Sequence, residues 1–139
     1  MKKGIFFCSL VLLLTTQSWG QEGILKVKVT NIETIEGNIM LAVYDSKDTF
    51  LSETTVTTAM KPVEGEEMWL EFPRLGYGTY AVSIYHDVNA DQELQTNFMG
   101  IPKEPYGFSN EVGLFGVPSF EKSKFEFQRK VLEIEIELK

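Results

Sequence analysis

Four oxygen-bearing side chains stand at alternate positions in the stretch IYHDVNADQELQTN, residues 84–97. They are Asp87, Asn89, Asp91 and Glu93. This spacing lets a curled loop point alternate side chains at one calcium ion, which prefers oxygen ligands. The stretch departs from a calcium loop at Gln92, where the sharp turn needs glycine, and at Phe98, where a closing glutamate would stand. Two interpretations stay open, a calcium site and a polar turn whose side chains cap their own backbone.

His86, the only histidine, directly precedes this corner. It lies on the inward face of the alternating segment 78–87, so we expect it to end a core strand and to hydrogen-bond a loop carbonyl or carboxylate. A hydrolase that pairs His86 with a loop carboxylate is an alternative. The carboxylates that could assist are Glu93, Glu104 and Glu111. A zinc site would need further histidine or cysteine ligands, and the only cysteine, Cys8, lies in the N-terminal apolar stretch. The sequence therefore predicts no enzyme.

The peptide IPKEPYGFSN, residues 101–110, has an unusual mixture of aromatic, polar and turn-forming residues. It predicts either a stacking and hydrogen-bonding pocket for a ligand or a cap whose aromatic rings close one end of the fold. Ser109 does not stand in a G-x-S-x-G motif, which gives no support for a serine nucleophile. The candidate ligand-binding residues in and beside this peptide are His86, Glu104, Tyr106, Phe108, Ser109 and Asn110.

Trp69 is a separate candidate for ligand binding. Its neighbours in the alternating segment 67–72 are the apolar residues Met68 and Leu70, so we expect Trp69 to point away from the core. An exposed tryptophan on a flat strand face can stack on a sugar ring. Packing under a loop or against a protein partner is the competing explanation.

The first twenty residues have the order of a secretory signal peptide. Lys2 and Lys3 precede an apolar stretch, and the small residues Ser18 and Gly20 predict cleavage after Gly20. The apolar run is shorter than the ~20 residues that a membrane span needs. We therefore expect a signal peptide at 1–20, export to the periplasm or the extracellular space, and a single mature domain at 21–139 with no remaining membrane span.

The predicted mature domain is strongly acidic. Loss of Lys2 and Lys3 leaves 11 of the 13 basic residues against 20 acidic ones, so the net charge is 11 − 20 = −9. A chain with this charge and no basic run is a poor partner for nucleic acid or for anionic membranes. The same domain has no cysteine and hence no disulfide.

Alternation of apolar and polar residues dominates the rest of the chain. The segments that show it are 24–30, 38–45, 67–72, 78–87 and 131–139, with weaker runs at 54–63 and 124–127. This pattern predicts an all-β, antiparallel β-sandwich of about seven strands, of immunoglobulin-like or transthyretin-like type. Residues 87–122 lack sustained alternation and are rich in glycine and proline, which predicts one long, self-packed loop excursion.

A series of motifs runs through the second half of the chain: L-x-x-G-x-Y-A-V at 75–82, H-D-x-N at 86–89, G-I-P-x-E-x-Y-G-F-S-N at 100–110 and P-S-F at 118–120. By these residues the chain resembles the bacterial family called domain of unknown function 2141, over most of the predicted mature domain and most densely in the second half. The resemblance implies a small exported β-sandwich and no known activity. The family turn that follows H-D-x-N has a glycine and an acidic residue where this chain has Gln92 and Gln95.

These observations favour an exported, soluble binding or accessory module that works through the 87–122 region on a small molecule, a glycan or a protein. The first alternative is an extracellular module stabilised by calcium, the one cofactor that the sequence suggests. The second is the hydrolase based on His86. The sequence does not specify an oligomeric state.

Overall fold

The structure, a computed structural model, describes residues 20–110 and 116–139. These residues form eight strands and one short helix. The elements in chain order are β1 (Glu22–Thr30), β2 (Asn38–Tyr44), β3 (Thr57–Pro62), β4 (Met68–Gly76), β5 (Gly78–Asp87), β6 (Tyr106–Phe108), α1 (Phe120–Ser123), β7 (Phe125–Phe127) and β8 (Val131–Glu137). The predicted signal peptide lies outside the described residues except for Gly20.

The strands form two sheets. The first has the order β4-β1-β8, and the second has the order β3-β2-β5-β6 with β7 also paired to β5. All pairings are antiparallel except that of β1 with β8, which is parallel and aligns Leu25 with Leu132. The predicted β-sandwich is therefore confirmed, with one parallel pair that period-two patterning does not reveal.

The core lies between the sheets and is built from alternate residues of the long strands. Strands β1, β2, β4 and β5 bury alternate side chains over most of their length because successive side chains point to opposite faces. The buried apolar positions include Leu25, Val27 and Val29 of β1, Ile39, Leu41 and Val43 of β2, Leu70 and Phe72 of β4, and Val82 and Ile84 of β5. Among the described residues, no helix is long and apolar enough to span a membrane.

The outer face of the first sheet is charged. Lys28 of β1 lies 2.9 Å from Glu67 and 4.0 Å from Glu135, and Lys26 similarly lies between Glu71 and Glu133. Solvated ion pairs of this kind add little stability, but they make the face water-compatible.

The 87–122 segment is not loop throughout. Tyr106–Phe108 forms strand β6, which pairs with β5. The short helix α1 begins at Phe120, near the end of this segment. Gly107 faces inward, and a Cβ there would lie 2.7 Å from Cγ2 of Ile136 and 2.8 Å from the carbonyl oxygen of Glu137. A strand of three residues is too short for alternation to predict, but the close approach to β8 explains the glycine.

Candidate functional site

The outer face of the second sheet carries a row of apolar and aromatic side chains. Along β5 the outward positions are Ala81, Ser83, Tyr85 and Asp87, because Val82, Ile84 and His86 between them point to the interior. The strand register places Ala42 and Met40 of β2 beside Ser83 and Tyr85 on one side, with Phe108 and Tyr106 of β6 on the other. These side chains form a floor that is unusually poor in charge for the outside of a sheet.

Residues of the neighbouring loops surround this floor, and together they form a cleft of about 530 Å³. We call it the apolar cleft. Its volume falls within the ~300–1,000 Å³ typical of small-molecule sites. No described lining residue is charged, and the lining comprises Met40, Leu41, Ala42, Tyr44, Leu51, Thr58, Ala59, Met60, Ser83, Ile84, Tyr85, Leu94, Gly100, Pro102, Tyr106, Phe108 and Val117.

One end of the cleft is held by aromatic contacts. The ring of Phe50, from the loop after β2, lies 5.3 Å from Tyr44, 6.2 Å from Phe108 and 5.9 Å from Phe120. Tyr106 continues the set at 5.8 Å from Phe108. Tilted and edge-to-face aromatic pairs stabilise such clusters beyond their buried area. This end of the cleft is therefore preformed.

An acidic group lies next to the cleft, outside its uncharged lining. Carboxylate oxygens of Asp87, Asp91 and Glu104 lie within 4.8 Å of one another, and we call this group the acidic corner. Burial raises the pKa of the Tyr85 hydroxyl, and the negative charges of all three carboxylates raise it further. Tyr85 lines the cleft, so the negative charges of the acidic corner act on a group in the cleft lining.

Backbone N–H groups of the turn bind the corner's aspartates. The buried Asp87 accepts hydrogen bonds from the backbone of Asp91 at 3.2 Å and of Gln92 at 2.8 Å. Asp91 accepts from the backbone of Glu93 at 2.9 Å and from the side-chain amide of Asn89 at 2.8 Å. The Glu93 backbone bond, followed by the Asn89 bond, lowers the pKa of Asp91. These bonds account for the turn as a self-capped structure.

The structure thus assembles part of the predicted calcium set. Asp87, Asn89 and Asp91 come together, whereas Glu93 supplies a backbone N–H and Glu104 provides the third converging carboxylate. The pKa of Glu104 is raised, first by burial and then by the charges of Asp87 and Asp91, against the opposing effect of the Gln95 backbone hydrogen bond. Calcium binding at this corner stays a prediction.

A family model for bacterial proteins described as uncharacterized and conserved (DUF2141) matches residues 27–135. The chain belongs to this family. The match spans both sheets, the acidic corner and β6, so the DUF2141 family shares the strands that build the cleft. No match was found among functionally curated proteins or among solved structures.

Two of the residues predicted to bind a ligand are buried. His86 is 1% exposed, and its Nε2 lies 2.7 Å from the carbonyl oxygen of Glu36. Ser109 is also 1% exposed; its Oγ accepts a hydrogen bond from the backbone of Val82 at 2.8 Å and donates one to the carbonyl oxygen of Ser123 at 2.7 Å. Both side chains hold loops to β5. The burial of His86 leaves the hydrolase hypothesis without an open catalytic cleft.

The remaining predicted site residues lie in separate places. Tyr106 and Phe108 line the apolar cleft, and Glu104 belongs to the acidic corner. Asn110 is exposed, with Nδ2 3.3 Å from the carbonyl oxygen of Lys124. Trp69 is 41% exposed on the first sheet, on the side of the sandwich away from the cleft. The predicted candidates therefore do not form one site.

Sequence reasoning missed most of the cleft floor. The predicted site residues do not include Met40, Tyr44, Ser83 or Tyr85, all of which line the cleft. A signal was present, because the outward positions of β2 carry methionine, alanine and tyrosine, whereas those of β8 carry glutamate. A comparison of outward faces between strands predicts which sheet has the apolar outer surface.

Proposed function

We propose that the protein is an exported binding module that holds a small molecule with an apolar body in the apolar cleft. The observation that carries the proposal is the uncharged cleft of about 530 Å³ on the outside of the second sheet. Soluble domains usually present polar residues there, and a large apolar concavity with a few polar groups is the usual form of a ligand site.

Exposure of apolar side chains at the cleft mouth supports the proposal. Met60 is 53% exposed, and Leu51, Leu94 and Val117 are each 43% exposed. These four residues come from four different segments, and all of them line the cleft. A ligand that covers them removes apolar surface from water, at about 25 cal/mol for each Å² buried.

Polar groups in the cleft provide points of orientation. The hydroxyl groups of Tyr44, Ser83, Tyr85 and Tyr106 all belong to lining residues, and they offer donors and acceptors among apolar walls. This mixture favours a ligand with an extended apolar part and few polar atoms.

The binding proposal is tested with Nile red, a neutral dye whose fluorescence rises in apolar surroundings. We expect saturable binding of one dye molecule to the purified protein. Ser83→Phe fills the middle of the cleft and should weaken dye binding by more than about tenfold, which corresponds to 1.4 kcal/mol. Circular dichroism verifies that the variant is folded.

A matched control is Glu135→Phe, which also adds an outward aromatic ring to a strand but on the first sheet. Dye binding should be unchanged in this variant. Equal loss in both variants, or no saturable binding to the wild-type protein, would reject the cleft as the binding site.

Export is supported by the basic, apolar and small-residue order of residues 1–20. Expression of the full chain in a Gram-negative host, followed by fractionation and mass spectrometry, tests it. The expected product lies in the periplasm and begins at Gln21. A cytoplasmic product that retains Met1 or Lys2 would contradict export.

A further inference from the structure

We propose that the occupant of the apolar cleft is an amphipathic cation whose apolar body lies on the second sheet and whose ammonium group reaches the acidic corner. The inference rests on the proposed binding function and adds the chemical class of the ligand. Its basis is the position of the corner relative to the cleft floor.

The acidic corner continues the outward row of β5. Asp87 follows Tyr85 by two residues on the same strand face, a distance of about 7 Å at the normal rise of a strand. Glu104 stands two residues from each of two lining residues, Pro102 and Tyr106. A molecule that lies along the floor over Ser83 and Tyr85 therefore points its end toward the carboxylates.

The chemistry of this end suits a cation. Asp91 is exposed and Glu104 is half-buried, so these are the two carboxylates that an ammonium group can contact. Asp87 is buried and its oxygens accept backbone hydrogen bonds, but it adds negative charge within 4.8 Å of the other two. Tyr85 and Tyr106 are register partners beside the corner, and tyrosine ring faces attract cations. The lysines whose ion pairs the structure shows, Lys26, Lys28 and Lys124, bind other carboxylates.

Other ligand classes fit less well. An anionic amphiphile such as a fatty acid would place its carboxylate near three like charges, which is unfavourable. A neutral amphiphile gains from the floor but not from the corner. Charge complementarity thus selects the cationic member among molecules with the same apolar body.

The experiment compares octylammonium, octanol and octanoate, which share the chain length and differ in the charge of the head group. Each is titrated against the protein–Nile red complex at neutral pH and low salt. We expect octylammonium to bind about tenfold more tightly than octanol, because several partly solvated charge pairs act together. Octanoate should bind most weakly, and added salt should reduce the differences.

The matched variants are Glu104→Gln and Glu93→Gln, which remove the same charge from the same loop. Glu104→Gln should weaken octylammonium binding about threefold and leave octanol binding unchanged. Glu93→Gln should leave both unchanged, since Glu93 supplies only its backbone to the corner.

The outcomes separate the two proposals. Octanol binding as tightly as octylammonium would overturn the cationic ligand and leave the cleft as a binding site. If Glu93→Gln weakens octylammonium binding as much as Glu104→Gln does, the cationic ligand is also overturned. The preference for octylammonium would then follow the net charge of the protein and not the acidic corner. Absence of Nile red binding would overturn the proposed function itself.

Discussion

Replacement of Ser109 by alanine tests whether this buried serine is structural. Its Oγ accepts a hydrogen bond from the backbone N–H of Val82 and donates one to the carbonyl oxygen of Ser123, while the backbone of Ser109 binds the carbonyl oxygen of Val82. The hydroxyl therefore adds one hydrogen bond beyond the last β5–β6 pair and joins α1 to these strands. Ser109→Ala leaves the other two groups without this partner.

The loss of stability can be estimated from these bonds. Ser109 is 1% exposed and Val82 is 0% exposed, so water cannot easily replace the hydroxyl. Each buried polar group left unpaired costs about 1–3 kcal/mol, and we expect a decrease of ~3 kcal/mol in the free energy of unfolding. For a domain of this size, that corresponds to a fall of roughly 10 °C in the melting temperature.

Urea denaturation followed by circular dichroism measures the effect. Ser52→Ala is the control, because its hydroxyl accepts a backbone hydrogen bond from Thr54 at an exposed position and its removal should change stability by less than about 0.5 kcal/mol. A Ser109→Ala protein as stable as wild type would refute the structural role. If Ser109→Ala loses Nile red binding but keeps its stability, Ser109 contributes to ligand binding instead.

Four further predictions concern the second half of the chain. Gly107→Ala should destabilise the protein by about 1–3 kcal/mol through its clash with β8, measured by the same urea titration; an unchanged midpoint would contradict the close approach. Glu104→Gln should raise stability at pH 7 by less than about 1 kcal/mol, because a folded-state pKa raised above the unfolded value means that ionised Glu104 disfavours the fold. This gain should vanish as the pH falls through the pKa of Glu104, and a gain that persists in acid would contradict the charge argument. Gln92→Gly should stabilise by ~0.5–1 kcal/mol because Gln92 has a φ of 62°. The self-capped interpretation of the turn predicts that 1 mM calcium leaves the melting temperature unchanged, because Glu93 supplies a backbone N–H and the three converging carboxylates fall short of the oxygen ligands that calcium takes; a rise that chelator reverses would establish the calcium alternative.

The long strands were predictable from sequence because each buries alternate side chains over six or more residues. The alternation of Leu25, Val27 and Val29 specifies one face of β1 whatever its neighbours are. It does not specify that β8 lies parallel to β1, since parallel and antiparallel partners bury the same positions. Strand direction depends on the path of the whole chain, which no local pattern contains.

The site was predictable only where its parts are close in sequence. Asp87 and Asp91 belong to one turn, and their spacing indicates that their oxygens converge. Glu104 joins them because β6 pairs with β5, and the strand of three residues that causes this leaves no periodic signal. Gln92 has a positive φ, a conformation that glycine adopts without strain, so the position suits the glycine that a calcium-loop pattern has there.

The contrast between the two outer faces argues that the second sheet is the working side of the molecule. Lys26 and Lys28 on the first sheet lie between rows of glutamates, which shows that this sequence readily places charge on an outward strand face. The second sheet carries Met40 and Tyr85 at equivalent outward positions, although charged residues there would need no change in the core. An apolar outer face adds a risk of aggregation and nothing to the packing between the sheets. The ligand proposed for the cleft is a physical reason for this face, and the acidic corner beside the cleft is the basis for proposing a cation.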